Sequence, residues 1–267
     1  MVPVFISDIY LYPIKSTAPL RVDTAPVEPR GLRDDRRWMV VDEQGRFLTG
    51  RELSRLTLVR ASPASDGLSM EAPGMLPLSM PPPGNGSTIP VRVWKSDVAA
   101  RPAGANADAW ISEFLQKPAR LVHMDAGVVR PMTGAHSQAG DEVSFADAFP
   151  LLLVSQAALD GLNARLAKPV SMLQFRPNLV VGGAAAHAED GWKRIRIGEV
   201  EFDVAKPCTR CVFTTIDPVR GERDPDGEPL RTLIGYRRSG EGVTFGQNLI
   251  PRSSGTLRAG DSVEVLA

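Results

Sequence analysis

The sequence predicts a β-rich α+β protein built from one or two barrels. Three observations carry that prediction: many short segments rich in β-branched and aromatic residues and bounded by Gly or Pro, few stretches with helical periodicity, and no parallel βαβ rhythm. No fixed-period repeat is present, and the one low-complexity tract is PPPGNGST at 81–88, where Pro and Gly forbid regular structure and mark an exposed loop.

Taken in order, Val4 to Lys15 reads as a first strand, and Arg37 to Thr49 as a hairpin whose turn holds Gly45. Further strands are expected at Leu56–Arg60, Leu68–Glu71, Val91–Trp94, Leu121–Met124 and Leu179–Val181. The alternating RIRIGEVEFDV at 194–204 should fold back at Gly198, with more strands at Val212–Ile216 and Ser262–Leu266. Helical spacing first appears at Ala107–Gln116, where Trp110, Ile111, Phe114 and Leu115 share a face. Ser155 is a good N-cap for a second helix that presents Leu159, Leu162 and Leu166, and Pro229 is suited to open a third with Leu230, Leu233 and Ile234 inward. Met124 to Glu142 lacks periodicity and is broken by Gly and Pro, so it is either a domain boundary or a long surface loop.

Composition limits the function. The 267 residues carry 31 Lys+Arg against 31 Asp+Glu, so no global field attracts nucleic acid or anionic lipid, and any anion site must be a local cluster. The densest apolar run, Pro150 to Val154, falls far short of the roughly 20 residues a membrane helix needs. The N-terminus has Asp8 inside its apolar stretch and no basic leader, from which a cytoplasmic location is expected. Two cysteines cannot form a disulfide framework or a four-thiolate site. There is no P-loop and no GxGxxG, so neither nucleotide hydrolysis nor dinucleotide binding is indicated.

The two cysteines are Cys208 and Cys211 in KPCTRCVFTT. The pair is open to three readings. A redox CxxC needs a following helix, but Val212 to Ile216 favours a strand; a zinc site needs two more ligands, and His123, His136 and His187 show no ligand spacing; buried apolar filler is the third. Lys206 stands just before the thiols and Arg210 between them, and a nearby cation favours the thiolate that bonds a soft metal. Lys15-Ser16, Arg36-Arg37 and Arg176 each read alone as surface charge, but with Thr209 and Arg210 they could form one anion pocket. Asp217, in TTIDP, is the carboxylate nearest the thiols in sequence and the candidate for proton delivery.

YPIKS at 12–16, DRRWMVVDEQGRFLTGRE at 35–52, FRPNLVV at 175–181, PCTRCVFTTIDP at 207–218, FGQNL at 245–249 and GxxxxGDSVEVL at 255–266 occur in this order. Together they resemble the MOSC proteins that carry an N-terminal MOSC β-barrel, the group containing the mitochondrial amidoxime-reducing component and its bacterial relatives. The resemblance runs nearly end to end. It implies an N-terminal MOSC β-barrel domain over residues 1–120 packed on a MOSC domain over 121–267.

It also implies a molybdenum cofactor, the metal held by a pterin dithiolene and by Cys211, with Cys208 auxiliary. The family's pterin contacts carry over to Lys15, Ser16, Arg36, Arg176, Asn178, Thr209 and Arg210, while a Thr-Ser pair of the mitochondrial relatives falls on Ala148-Phe149. The implied activity is two-electron reductive dehydroxylation of small N-hydroxylated compounds such as amidoximes and hydroxylamines, with Cys211 as the catalytic metal ligand; Asp217 is added as a catalytic candidate on its position in TTIDP alone. Two cysteines cannot hold an iron-sulfur cluster, so electrons are expected from a separate ferredoxin, flavoprotein or cytochrome. No nucleic acid or membrane partner is expected. The alternative is a non-catalytic module that carries molybdenum cofactor or sulfur to another protein.

Overall fold

A computed structural model describes residues 3–267. Its architecture is β-rich α+β, with many short strands and three α-helices: α1 (Ala105–Leu115), α2 (Gln156–Asn163) and α3 (Leu230–Tyr236). The largest sheet runs through strands Leu20–Val22, Phe5–Leu11, Leu179–Gly182, Leu151–Ser155, Gly242–Pro251, Val200–Thr209, Arg194–Ile197 and Val263–Val265. The first strands of the chain thus hydrogen-bond into a sheet made mostly from its last third.

Strand Leu151–Ser155 is buried on both faces, as its unbroken apolar run requires. Leu151 and Leu153 join the core of Ile6, Ile9, Phe202 and Leu249, whereas Leu152 and Val154 face Ala158, Leu159 and Leu162 of α2. Strand Trp38–Val41 alternates in the same way. Trp38 and Val40 pack with Trp110, Ile111 and Phe114 of α1, and Met39 and Val41 pack with Val91, Val93 and Phe145. Two layers of core therefore meet on one strand, directly after Arg36 and Arg37.

The expected hairpin, most strands and all three helices form. Ser155 caps α2 by accepting from the Ala158 N–H at 3.2 Å. Segments 54–58 and 212–215 differ: both are 3₁₀ turns where strands were expected. The cause is hydroxyl chemistry within β-branched sequence. Thr57 Oγ1 donates to the Ser54 carbonyl at 2.7 Å, and Thr214 and Thr215 donate to Cys211 and Val212 carbonyls at 2.9 and 2.8 Å, closing each turn. Ile234 is exposed, so only Leu233 of α3 is buried in the core. Strand Leu151–Ser155 also pairs parallel with Leu179–Gly182 across α2, a single βαβ unit that the long irregular return through 164–178 hides from sequence rhythm.

Because Ile9 is fully buried between strands from opposite ends of the chain, Ile9→Ala should lower stability by about 2–5 kcal/mol. Urea unfolding followed by tryptophan fluorescence checks this, and the expected shift is in the whole transition, not in a separate early phase.

Candidate active site

A cavity of about 380 Å³ opens where the large sheet meets the turns before strand Trp38–Val41. Its lining holds six cations, Lys15, Arg36, Arg51, Arg176, Lys206 and Arg210, against one carboxylate, Asp147, together with both cysteines. Lys15, Ser16, Arg36, Arg176, Asn178, Thr209, Arg210 and Cys211, drawn from four separate sequence motifs, all line it. Sequence proximity did not dictate that convergence; strand pairing did.

At one end Tyr12 organises two guanidiniums. Its ring is fully buried, with Arg36 4.4 Å and Arg176 4.1 Å from the centroid. Burial pushes the phenol pKa up, so Tyr12 stays a neutral donor, to the Pro177 carbonyl at 3.1 Å. Asp35, also buried, accepts from the Tyr12 N–H at 2.8 Å and from Arg36 at 2.5 Å. Asn178 uses its side chain on Arg36 at 2.8 Å, the Leu152 N–H and the Tyr10 carbonyl, so it serves the cavity by orienting Arg36. Ser16, Arg36 and Arg176 have φ of 72, 48 and 56°, a left-handed conformation that costs non-glycine residues energy and concentrates at binding sites.

Arg176 sits at the end of the 3₁₀ turn Met172–Phe175, which is held by a reciprocal Ser171–Gln174 capping box. Gln174 also donates to the Thr214 carbonyl at 2.9 Å, tying this turn to the one that follows Cys211. Among the described residues Arg176 gives only one N–H to protein, to Thr17 at 2.6 Å, leaving donors for a ligand. Arg210 differs: it donates to the Phe175 carbonyl at 2.9 Å and twice to that of Phe245, so it is a brace that also brings charge.

At the other end Cys211 Sγ receives the Arg51 Nε–H at 3.3 Å. Arg51 is fixed by Asp147 at 2.8 Å, and Asp147 also binds Lys15 and the Trp94 indole N–H, the latter at 3.2 Å. Desolvation would raise the Asp147 carboxyl pKa, but Lys15 and Arg51 outweigh it and hold the group well below the usual carboxylate range. Its side chain still keeps 49% of its surface open. Burial lowers the Lys15 ammonium to about 8 despite the attraction of Asp147. Cys208 lies against the apolar cluster of Phe175 and Phe245, and burial pushes its thiol up, so it is not a poised redox partner. The following 3₁₀ turn of four residues supplies no real helix terminus.

Asp217 is not brought to this site. Its carboxylate is occupied by the Val219 and Arg220 N–H groups at 2.8 and 3.1 Å and by the Arg220 side chain, in a surface turn. The residues missed in sequence are Arg51 and Asp147. Arg51 lies inside the long DRRWMVVDEQGRFLTGRE motif, one residue after Gly50, where a Cβ would meet the Phe213 ring at 2.6 Å. Asp147 immediately precedes the Ala148-Phe149 pair. No group of three or more His, Cys, Asp or Glu among the described residues could hold a metal ion by itself. A half-buried Cys211 sulfur amid cations, without a full set of protein ligands, suits a metal that arrives already bound to an anionic organic ligand.

Residues 4–118 match the MOSC N-terminal beta barrel domain and residues 140–264 the MOSC domain. Mitochondrial amidoxime-reducing component 1 of Mus musculus is 36% identical over 98% of this chain and 82% of its own length. The Homo sapiens component 1 is 34% identical with the same coverage, and component 2 of Rattus norvegicus is 36% identical over 97% of this chain and 82% of its own. The chain belongs to the MOSC proteins with an N-terminal MOSC β-barrel, the family of the amidoxime-reducing components. The relatives' names as mitochondrial components overturn the cytoplasmic location expected from the sequence. That expectation rested on the absence of a basic leader and an apolar span, and neither absence locates a protein. No helix is long and apolar enough to cross a membrane among the described residues.

Lys15 carries its charge below about pH 8 and loses it above, so affinity for a multivalent anion should fall as pH rises through that value. Titration calorimetry with inorganic pyrophosphate at pH 7 and pH 9 checks this: an affinity drop of about tenfold is expected, and Lys15→Met should remove most of the pH dependence.

Proposed function

We propose that the cavity holds the molybdenum cofactor, with Cys211 as the protein ligand to the metal, and that the protein reduces N-hydroxylated compounds. The observation that carries the reading is the Cys211 sulfur, held by the Arg51 guanidinium, in a cationic cavity whose wall has three left-handed non-glycine residues and keeps most donors of Arg176 unspent. When bound, the cofactor supplies a metal able to accept an oxygen atom and exchange two electrons, with thiolate as a suitably soft ligand.

The remaining roles fall to the chain itself. Arg36 and Arg176 are suited to grip a phosphate with forked donors, and Lys15 adds a point charge. Ser16 and Thr209 line the same wall, while Asn178 and Arg210 act by holding Arg36 and the backbone. The net reaction breaks one N–O bond, consumes two electrons and two protons, and releases water. Asp147 takes over the place given to Asp217 as the carboxylate of the site: as an anion it keeps Lys15 and Arg51 oriented beside Cys211. We assign the supply of electrons to a separate redox protein, since neither cysteine of the described residues sits in a set of thiols that could hold an iron-sulfur cluster.

The test is metal analysis and benzamidoxime reduction with a chemical electron donor, on protein made in a host that synthesises the cofactor. Wild-type protein should contain molybdenum and turn over. Cys211→Ser should lose both, and Cys208→Ser should keep at least half of each. Molybdenum-free wild-type protein from such a host defeats the reading.

A further inference from the structure

Arg51 has a position that the cofactor grip does not explain. It is separated from Cys211 by 160 residues, yet its Nε–H points at the sulfur at 3.3 Å. Three further contacts fix it: Asp147 at 2.8 Å, the Trp94 ring with its centroid 5.0 Å from the guanidinium carbon, and a hydrogen bond from its own N–H to Thr49 Oγ1 at 3.2 Å. Trp94 is itself held in a left-handed conformation, φ 55°, and donates to the same Asp147. A flexible side chain with several rotors is thus pinned by an ion pair and an aromatic face, with one donor edge left for the sulfur.

We infer that Arg51 is a positioning residue for Cys211: it aims the sulfur into the cavity and fixes a positive charge at the reacting end, with Asp147 and Trp94 as its supports. The inference goes beyond the proposed function and does not need the metal. A hydrogen bond from a guanidinium to a sulfur restricts its rotamer and draws electron density from it, and donors to ligating sulfurs tune metal centres. The charge also receives an anionic or oxygen-bearing group that approaches the sulfur, which Lys15, engaged with the Phe145 carbonyl and Asp147, is less free to do.

The experiment uses full-length, cofactor-free protein in a Cys208→Ser background, so that Cys211 is the sole thiol. The rates of its alkylation by iodoacetate, an anion, and iodoacetamide, a neutral analogue, are measured at one pH. Both reagents form the same S–C bond with loss of iodide and consume the same form of the sulfur, so their ratio reads the charge at the sulfur and not its ionisation. Arg51→Met should lower the iodoacetate to iodoacetamide ratio by about tenfold, and Arg51→Lys by less, because it keeps the charge without the fork. Arg51→Gln replaces Arg51→Met if the latter does not fold, as judged by thermal unfolding. A ratio in Arg51→Met or Arg51→Gln within twofold of the Cys208→Ser parent overturns the inference. Molybdenum-free wild-type protein would defeat the proposed function while leaving this ratio to decide on Arg51.

Discussion

Six cations around one cavity repel one another, and the site depends on how that repulsion is contained. Asp147 is the key element: a single carboxylate that ties Lys15 to Arg51 and is itself capped by the Trp94 indole. At the opposite end Asp35 does the same for Arg36, and the Phe175 and Phe245 carbonyls do it for Arg210. Each buried charge is paired or hydrogen-bonded, as low-dielectric surroundings require. What stays uncompensated is concentrated on Arg176, whose guanidinium rests on the Tyr12 and Phe213 rings with most of its N–H groups unspent. A protein that anchored all its cations equally well would have nothing left to attract an anion.

That balance requires the whole chain. Lys15 and Arg36 come from the beginning, Asp147 from the middle and Cys211 from near the end, and the sheet that assembles them places strand Phe5–Leu11 between Leu20–Val22 and Leu179–Gly182. Antiparallel pairing of Phe5–Leu11 with Leu179–Gly182 sets the register that brings Tyr12 beside Pro177. A one-residue slip there would exchange the faces of Ile6 and Ile9 and remove both from the core. The strand that starts the chain therefore acts on the site through register as much as through contacts.

Much of this was legible in the sequence. The strand alternation at 194–204, the Ser155 cap and the α1 stripe follow from local rules and stand in the structure. The cationic set was found as separate motifs, and its convergence came from resemblance, because long-range strand pairing leaves no local signature. Asp217 drew attention by standing six residues from Cys211, but a surface turn consumed its carboxylate. Asp147 was invisible for the opposite reason: it lies in an irregular stretch before strand Leu151–Ser155, and its meaning comes only from Lys15 and Arg51, 132 and 96 residues away. Thr57, Thr214 and Thr215 misled in a third way, since β-branching suggests strands while their hydroxyls close 3₁₀ turns.

The CxxC motif illustrates how neighbours decide what a residue pair does. Both cysteines are free and both line the cavity, so sequence and location treat them alike. Their surroundings do not. Cys208 leans on Phe175 and Phe245, and burial holds its proton in place; Cys211 faces a guanidinium and begins a turn braced by two threonine hydroxyls. Dithiol chemistry needs both sulfurs able to act as thiolates in turn, whereas a metal ligand needs only one that is held still. The asymmetry between the two sulfurs favours the second use, and it does so through contacts from residues 51, 147, 175 and 245 that no reading of the motif alone contains.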